Sequence, residues 1–129
     1  MSDQPRNETI DDVSAAFDLL RDARRRGVLY ALERNGRTSV EELARRIAAW
    51  QSDDRDETDS QSVEISLIHS HLPKLAAADA VEYDREDGTV ELADRGAELG
   101  PLLRCTRERE PGPSHTARTS NFRTLGVSQ

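Results

Sequence analysis

The sequence predicts a mainly α-helical fold closed by a small β-hairpin. Three observations carry this expectation. Apolar residues recur at steps of three and four in several stretches, which places them on one face of a helix turning about 100° per residue. Segments 80–83 and 89–92 alternate apolar and polar residues on either side of the turn-forming run Asp84-Arg85-Glu86-Asp87-Gly88. Residues that start or stop helices also stand where the periodicity changes, at Asn35-Gly36 and at Ser39 followed by Glu42.

Taken in order, residues 1–12 are polar, contain Pro5 and show no apolar period, so they are expected to form a flexible arm. Val13, Ala16, Phe17 and Leu20 define a first helix ending near Arg21 or Asp22. Val28, Leu29, Ala31 and Leu32 mark a second, Arg24 to Arg34, stopped by Asn35-Gly36, which tolerate the left-handed conformation of a helix end. Arg37-Thr38 is a short extended piece able to pair with the later hairpin. Ser39 and Glu42 fit a capping box opening a third helix, striped by Val40, Leu43, Ile47 and Trp50.

Segment 51–62 carries five acids, one base and no apolar residue, and is expected to be an acidic loop. A fourth helix, 63–79, follows. Ile65, Ile68, Leu72 and Leu75 are expected to face inward, with Ser66, Ser70 and Lys74 on the opposite face and His69 at its margin. Pro73 removes one hydrogen bond and clashes with the preceding turn, which predicts a kink or local break. After the hairpin, 93–103 reads as a short helix with Ala97 and Leu99 as contacts, interrupted by Gly96, Gly100 and Pro101. Residues 104–129 lack periodicity and are expected to be disordered. The whole reads as one domain over 13–103.

Composition narrows the function classes. A 129-residue chain with 35% hydrophobic and 4% aromatic residues has a modest core and little room for a large catalytic cleft. No apolar run approaches the roughly 20 residues of a membrane span, and the first residues lack the basic and apolar segments of a signal peptide, so a cytoplasmic protein is expected. Cys105 is the single cysteine, which excludes an intrachain disulfide and a cysteine zinc cluster. The net charge is −7, and Lys74 is the only lysine among 18 basic residues. Such acidic, lysine-poor composition is similar to that of proteins from salt-loving archaea, in whose concentrated potassium salt the Debye length is about 3 Å or less.

The order helix, helix, short strand, helix, helix, hairpin is that of a winged helix-turn-helix domain. Segment Ile68-His69-Ser70-His71-Leu72-Pro73-Lys74-Leu75, continuing to Ala80-Val81-Glu82-Tyr83, resembles the His-Leu-x-x-Leu recognition-helix pattern of arsenic-repressor-like transcriptional regulators. Run 17–48 looks like the three helices preceding it, and the chain is similar to small winged-helix domains of unknown function abundant in haloarchaea. The resemblance covers roughly Val13 to Leu103 and implies a DNA-binding regulator reading the major groove with helix 63–79. Family members usually carry Ser or Thr at the place of His69, Gly at that of Ala80 and no proline at that of Pro73.

Double-stranded DNA asks for cations at phosphates and side chains reaching base edges. The candidates are Ser66, His69, Ser70 and Lys74 for the groove, Arg37, Arg45 and Arg46 for phosphates, and Arg85 at the hairpin tip. Segment 20–46 holds eight arginines against four acids, whereas 79–99 holds eight acids against Arg85 and Arg95, a poor phosphate grip for a wing. Arg45 and Arg46 also lie four residues from Glu41 and Glu42, the spacing of helical ion pairs.

His69 and His71 point about 200° apart and cannot share a metal within one chain. His71 reads as a hydrogen-bonded packing residue. No phosphate loop, nucleophile elbow or catalytic carboxylate pair is present, so neither an enzyme nor a cofactor is expected. A homodimer is expected, and pairing through the first helix and 93–103 belongs to the competing class. The competing class is a protein-interaction module without DNA binding.

Overall fold

The computed structural model describes residues 7–52 and 58–113, apart from the side chains of 7–11. In chain order the elements are α1 (Asn7–Leu20), α2 (Ala23–Asn35), β1 (Thr38–Ser39), α3 (Val40–Gln51), α4 (Ser60–Ser66), a π turn (Leu67–His71), α5 (Leu72–Ala77), β2 (Val81–Asp84), β3 (Thr89–Leu92), α6 (Asp94–Glu98) and α7 (Gly100–Arg109). This is a mainly helical chain with a small antiparallel sheet of order β1-β3-β2, compatible with a winged helix-turn-helix. Tyr83 stands opposite Val90 and Val81 opposite Leu92, while β1 pairs Thr38 with Val90. The hairpin therefore forms as the alternation predicts, and the short first strand forms one residue later than expected, at Thr38–Ser39.

Local signals explain most boundaries. The Asp22 side chain caps α2 by accepting from the backbone N–H groups of Arg24 and Arg25. Gly36 ends the helix at φ +77°, a conformation glycine adopts without a Cβ penalty. Ser39 Oγ accepts from Glu42 N–H at 3.0 Å, the first half of the expected capping box. The Glu42 carboxylate bonds Arg45 and Arg46 instead of returning to the cap.

Several expectations are corrected. The first helix starts at Asn7, inside the expected arm, because nothing between Pro5 and Val13 breaks a helix; residues 1–6 lie outside the described residues. Its stripe is not the core face throughout: Val13 and Phe17 are 51% and 58% exposed, and the helix is held down by Leu19 and Leu20. The helical pattern after the hairpin runs to Arg109, so 104–109 are α7 and not a disordered tail, anchored by the fully buried Leu103. Ala97 is exposed while Leu99 is buried. Residues 114–129 and 53–57 lie outside the described residues, and the expected acidic loop 51–62 is shorter than read, since Gln51 ends α3 and Ser60 to Ser62 open α4.

A further correction concerns the helix that packs against α3. Its buried stripe is Val63, Leu67, Leu72 and Leu75, each fully buried, whereas Ile65 is 56% exposed and Ile68 only partly buried. Steps of four, five and three do not fit a regular α-helix. The π turn supplies the extra residue: Leu72 N–H donates to the Leu67 carbonyl, five residues back. One inserted residue rotates everything after it by about 100°, which brings Leu72 and Leu75 into line with Val63 and Leu67. Pro73 directly follows this turn in a helix that is continuous on both sides, and the widened turn makes room for its ring while one carbonyl of the ladder loses its N–H partner. The expected break at Pro73 is thus a widened turn just before it.

Two close approaches fix the hairpin to the helices. Asp79 takes φ +62°, and Ala80 N–H returns to the Leu75 carbonyl at 2.9 Å, closing the C-terminus of α5. Gly96 sits directly against β2, where a Cβ would overlap the Ala80 carbonyl oxygen and stand 2.9 Å from Leu92 Cδ1.

Candidate nucleic-acid interface

Burial of Val63, Leu67, Leu72 and Leu75 leaves the outer side of the α4 to α5 helix in solvent. On it lie Ile65, His69, Ser70 and Lys74, all exposed. His69 and Ser70 belong to the π turn, so their spacing along the surface is wider than in an α-helix. Lys74 Nζ is 2.9 Å from Asp18 Oδ2 on α1. That ammonium, first by its hydrogen bond and then by its charge, holds the Asp18 carboxyl below its ordinary range. Ser66 turns toward the interior flank: its Oγ donates to the Val63 carbonyl and accepts from Arg24 Nη1, both at 2.9 Å.

The arginine run of α2, which supplies much of the positive balance of segment 20–46, is committed to the fold. Arg24 reaches Ser66 on α4 and Gln51 Oε1 on α3, joining three helices. Arg25, 8% exposed, donates to the carbonyls of Leu19 and Asp18, satisfying acceptors that the end of α1 leaves open. Arg26 caps the same end through Leu20 and forms a two-nitrogen pair with Glu110. Of the phosphate candidates, Arg45 pairs with Glu41 at 3.5 Å and with Glu42, Arg46 with Glu42 at 2.7 Å, and Arg37 with Glu91 at 3.6 Å. The Arg45 hydrogen bond, ahead of the Arg46 charge, lowers the Glu42 carboxyl.

The wing is short and acidic, and Arg85 is its one base within 81–92. Its guanidinium lies 5.7 Å from the centroid of the Tyr83 ring, a cation–π arrangement that leaves the N–H edges free to meet an anion. The turn is tied by Asp84, whose carboxylate accepts from the N–H groups of Glu86 and Asp87.

His71 is a packing residue, as read from sequence. Its Nδ1 faces Arg25 Nη1 at 3.4 Å and its Nε2 faces Asp22 Oδ1 at 3.7 Å. Burial depresses its pKa, and Arg25 and Arg24 add to this against the opposing charge of Asp22. Among the described residues no three His, Cys, Asp or Glu side chains converge as for a metal, and Cys105 is an exposed thiol on α7. No helix of the described residues is long and apolar enough to cross a membrane.

The eight candidates therefore do not form one free basic surface. His69, Ser70 and Lys74 share the outer face, Ser66 leaves it, Arg37 and Arg85 belong to the sheet side, and Arg45 and Arg46 lie on α3 among carboxylates. Sequence reasoning missed Arg24 and Asp18, which contact two candidates directly. Their partners are 42 residues away in one case and 56 in the other, beyond any local spacing rule.

A helical domain with this sheet, this helix order and an exposed helix before a β-hairpin is compatible with the winged-helix class of architectures. The chain belongs to a family described as a domain of unknown function, DUF7344, whose model matches residues 17–91. That span begins within α1 and ends in β3. No curated protein and no solved structure matches the chain.

Proposed function

We propose that this chain is a DNA-binding transcriptional regulator of a halophilic archaeon, acting as a homodimer and presenting the α4 to α5 helix to the major groove. The observation that carries this reading is the outer face of that helix, where exposed His69, Ser70 and Lys74 stand beside a β-hairpin while the opposite side is fixed in the core. His69 and Ser70 supply base-edge hydrogen bonds, and Lys74 supplies a phosphate contact after exchanging Asp18 for DNA. Arg85 at the wing tip, with Arg37, Arg45 and Arg46, would contact backbone. Concentrated salt screens their carboxylate pairs and phosphate contacts alike, so the exchange is decided by hydrogen-bond geometry at the phosphate and not by charge at range. The lysine-poor acidic composition supports the halophilic assignment, and a DNA-binding regulator is expected in the cytoplasm.

The test is selection of genomic fragments bound in molar potassium chloride, repeated with Ser70→Glu and Lys74→Glu. Specific fragments are expected for the native chain and lost with either substitution. No enrichment, or enrichment indifferent to both changes, rejects groove reading.

One observation favours a second reading, a protein-interaction module: Lys74, Arg37, Arg45 and Arg46 all have carboxylate partners, and the wing is acidic. On that reading DNA is not retained at any salt concentration, while self-association persists.

A further inference from the structure

The four residues after α7 lie in a groove of the helical domain. Glu110 pairs through both carboxylate oxygens with the Arg26 guanidinium, Nη2 to Oε1 at 3.0 Å, and Oε2 also accepts from the Tyr30 hydroxyl at 2.8 Å. Trp50 Nε1–H donates to the Pro111 carbonyl at 2.7 Å. Gly112 lies flat on the Tyr30 ring, where a Cβ would stand 2.7 Å from Tyr30 Cγ, and Pro113 is buried. The walls are Tyr30 and Trp50, perpendicular with centroids 6.0 Å apart, and Gly27 makes room for the indole, since a Cβ there would be 3.1 Å from it.

Each element reads a separate feature of an extended peptide. Arg26 reads a carboxylate bidentately, Trp50 a backbone carbonyl, and the Tyr30 face only a residue without a side chain. Aromatic walls with an indole N–H donor are the chemistry by which proline-rich segments are bound, because such segments lose little conformational entropy on docking. The groove residues Arg26, Tyr30 and Trp50 all fall within 17–91, whereas the occupant lies outside it.

We propose that Arg26, Tyr30 and Trp50 form a docking groove for peptides carrying an acidic residue followed by Pro-Gly-Pro, closed in this structure by the chain's own Glu110-Pro111-Gly112-Pro113. A tethered ligand acts at an effective concentration of about 1 mM, so a partner segment of equal affinity competes only above that level or after the strap is released. Burial raises the Glu110 carboxyl, but the bonds from Arg26 and Tyr30 outweigh it and hold the group below its ordinary range, in keeping with an ionised occupant at neutral pH.

Trp50 is the only tryptophan of the chain and reports the groove directly. The experiment uses the full chain, its Gly112→Val variant, whose branched side chain collides with Tyr30, and a capped synthetic peptide with the sequence of residues 109–114. Strap release is expected to shift Trp50 emission in Gly112→Val. The peptide is then expected to reverse the shift saturably, at concentrations at least tenfold lower than any effect on the native chain. A peptide with valine at the glycine position is expected to be inert, and adding Arg26→Ala to the Gly112→Val chain to abolish the response. Unchanged emission in Gly112→Val, no saturable response, or equal response to the valine peptide overturns the proposal. Should Gly112→Val not unfold cooperatively, Glu110→Lys opens the strap by charge reversal against Arg26, and the same outcomes decide.

Discussion

At His71, two helical elements meet through one side chain: it lies in the π turn, beside Arg25 of α2 and the Asp22 cap that starts α2. Its neutral form is favoured in the fold, because burial and two guanidiniums penalise a positive ring more than Asp22 stabilises one. The unfolded chain therefore binds a proton more readily than the folded one. Stability linked to this group is fully present above the ordinary histidine value of about 6.5 and is lost as pH falls through the lower folded value. Asp22 adds a separate step. Burial raises its carboxyl, but His71 and the backbone N–H groups of Arg24 and Arg25 lower it further, so its contribution is present above the usual carboxylate range and lost below it. Urea unfolding of the native chain and of His71→Gln at a series of pH values checks the first step. The difference between them, in which the other histidines cancel, is expected to change with pH below about 6.5. A pH-independent difference would contradict the environment assigned to His71.

At the level of single elements, the helix from Ser60 to Ala77 is where sequence and structure part most clearly. Periodicity found the helix and its membership of the core through Leu72 and Leu75, yet it placed Ile65 inward because a regular 3.6-residue period was applied across a turn that holds an extra residue. Nothing local announces that insertion except Pro73, which was legible as a disturbance but not as a widened turn. The phase of the stripe, not the proline, is the stronger cause. Val63 and Leu67 cannot face the same core as Leu72 and Leu75 without the additional residue. Pro73→Ala is accordingly expected to keep the Leu72 to Leu67 hydrogen bond and to change the unfolding free energy by about 1 kcal/mol or less, since the widened turn already accommodates the ring. Amide hydrogen exchange and a structure of the variant measure this directly. A straightened α-helix with Ile65 buried would show that the proline alone imposes the turn.

For the whole molecule, caps, stops and hairpin alternation were readable because each depends on residues two to four apart. The commitment of Arg24, Arg25 and Arg26 was not, since their partners lie at Ser66, at the end of α1 and at Glu110. The exposed Val13 and Phe17 were readable only as an apolar face, not as one that the fold leaves open. That face bears on the proposed homodimer. Val13 and Phe17 are one helical turn apart on α1, and both retain more than half of their accessible surface, whereas Leu19 and Leu20 fix the same helix to the core. α1 is also held from the side by Asp12, which pairs with Arg95 of α6 at 3.1 Å, so an opposing copy would meet a positioned helix. Replacing Phe17 by Asp removes apolar contact across such an interface and sets like charges against each other there, while an exposed position contributes little to the fold. The expected outcome is a shift from dimer to monomer in sedimentation velocity run in molar potassium chloride. Unfolding of the isolated chain is expected to move by about 0.5 kcal/mol or less. A native chain that is monomeric throughout, or a Phe17→Asp chain that remains dimeric, would remove α1 from the interface and with it the proposed pairing of two α4 to α5 helices on one DNA site.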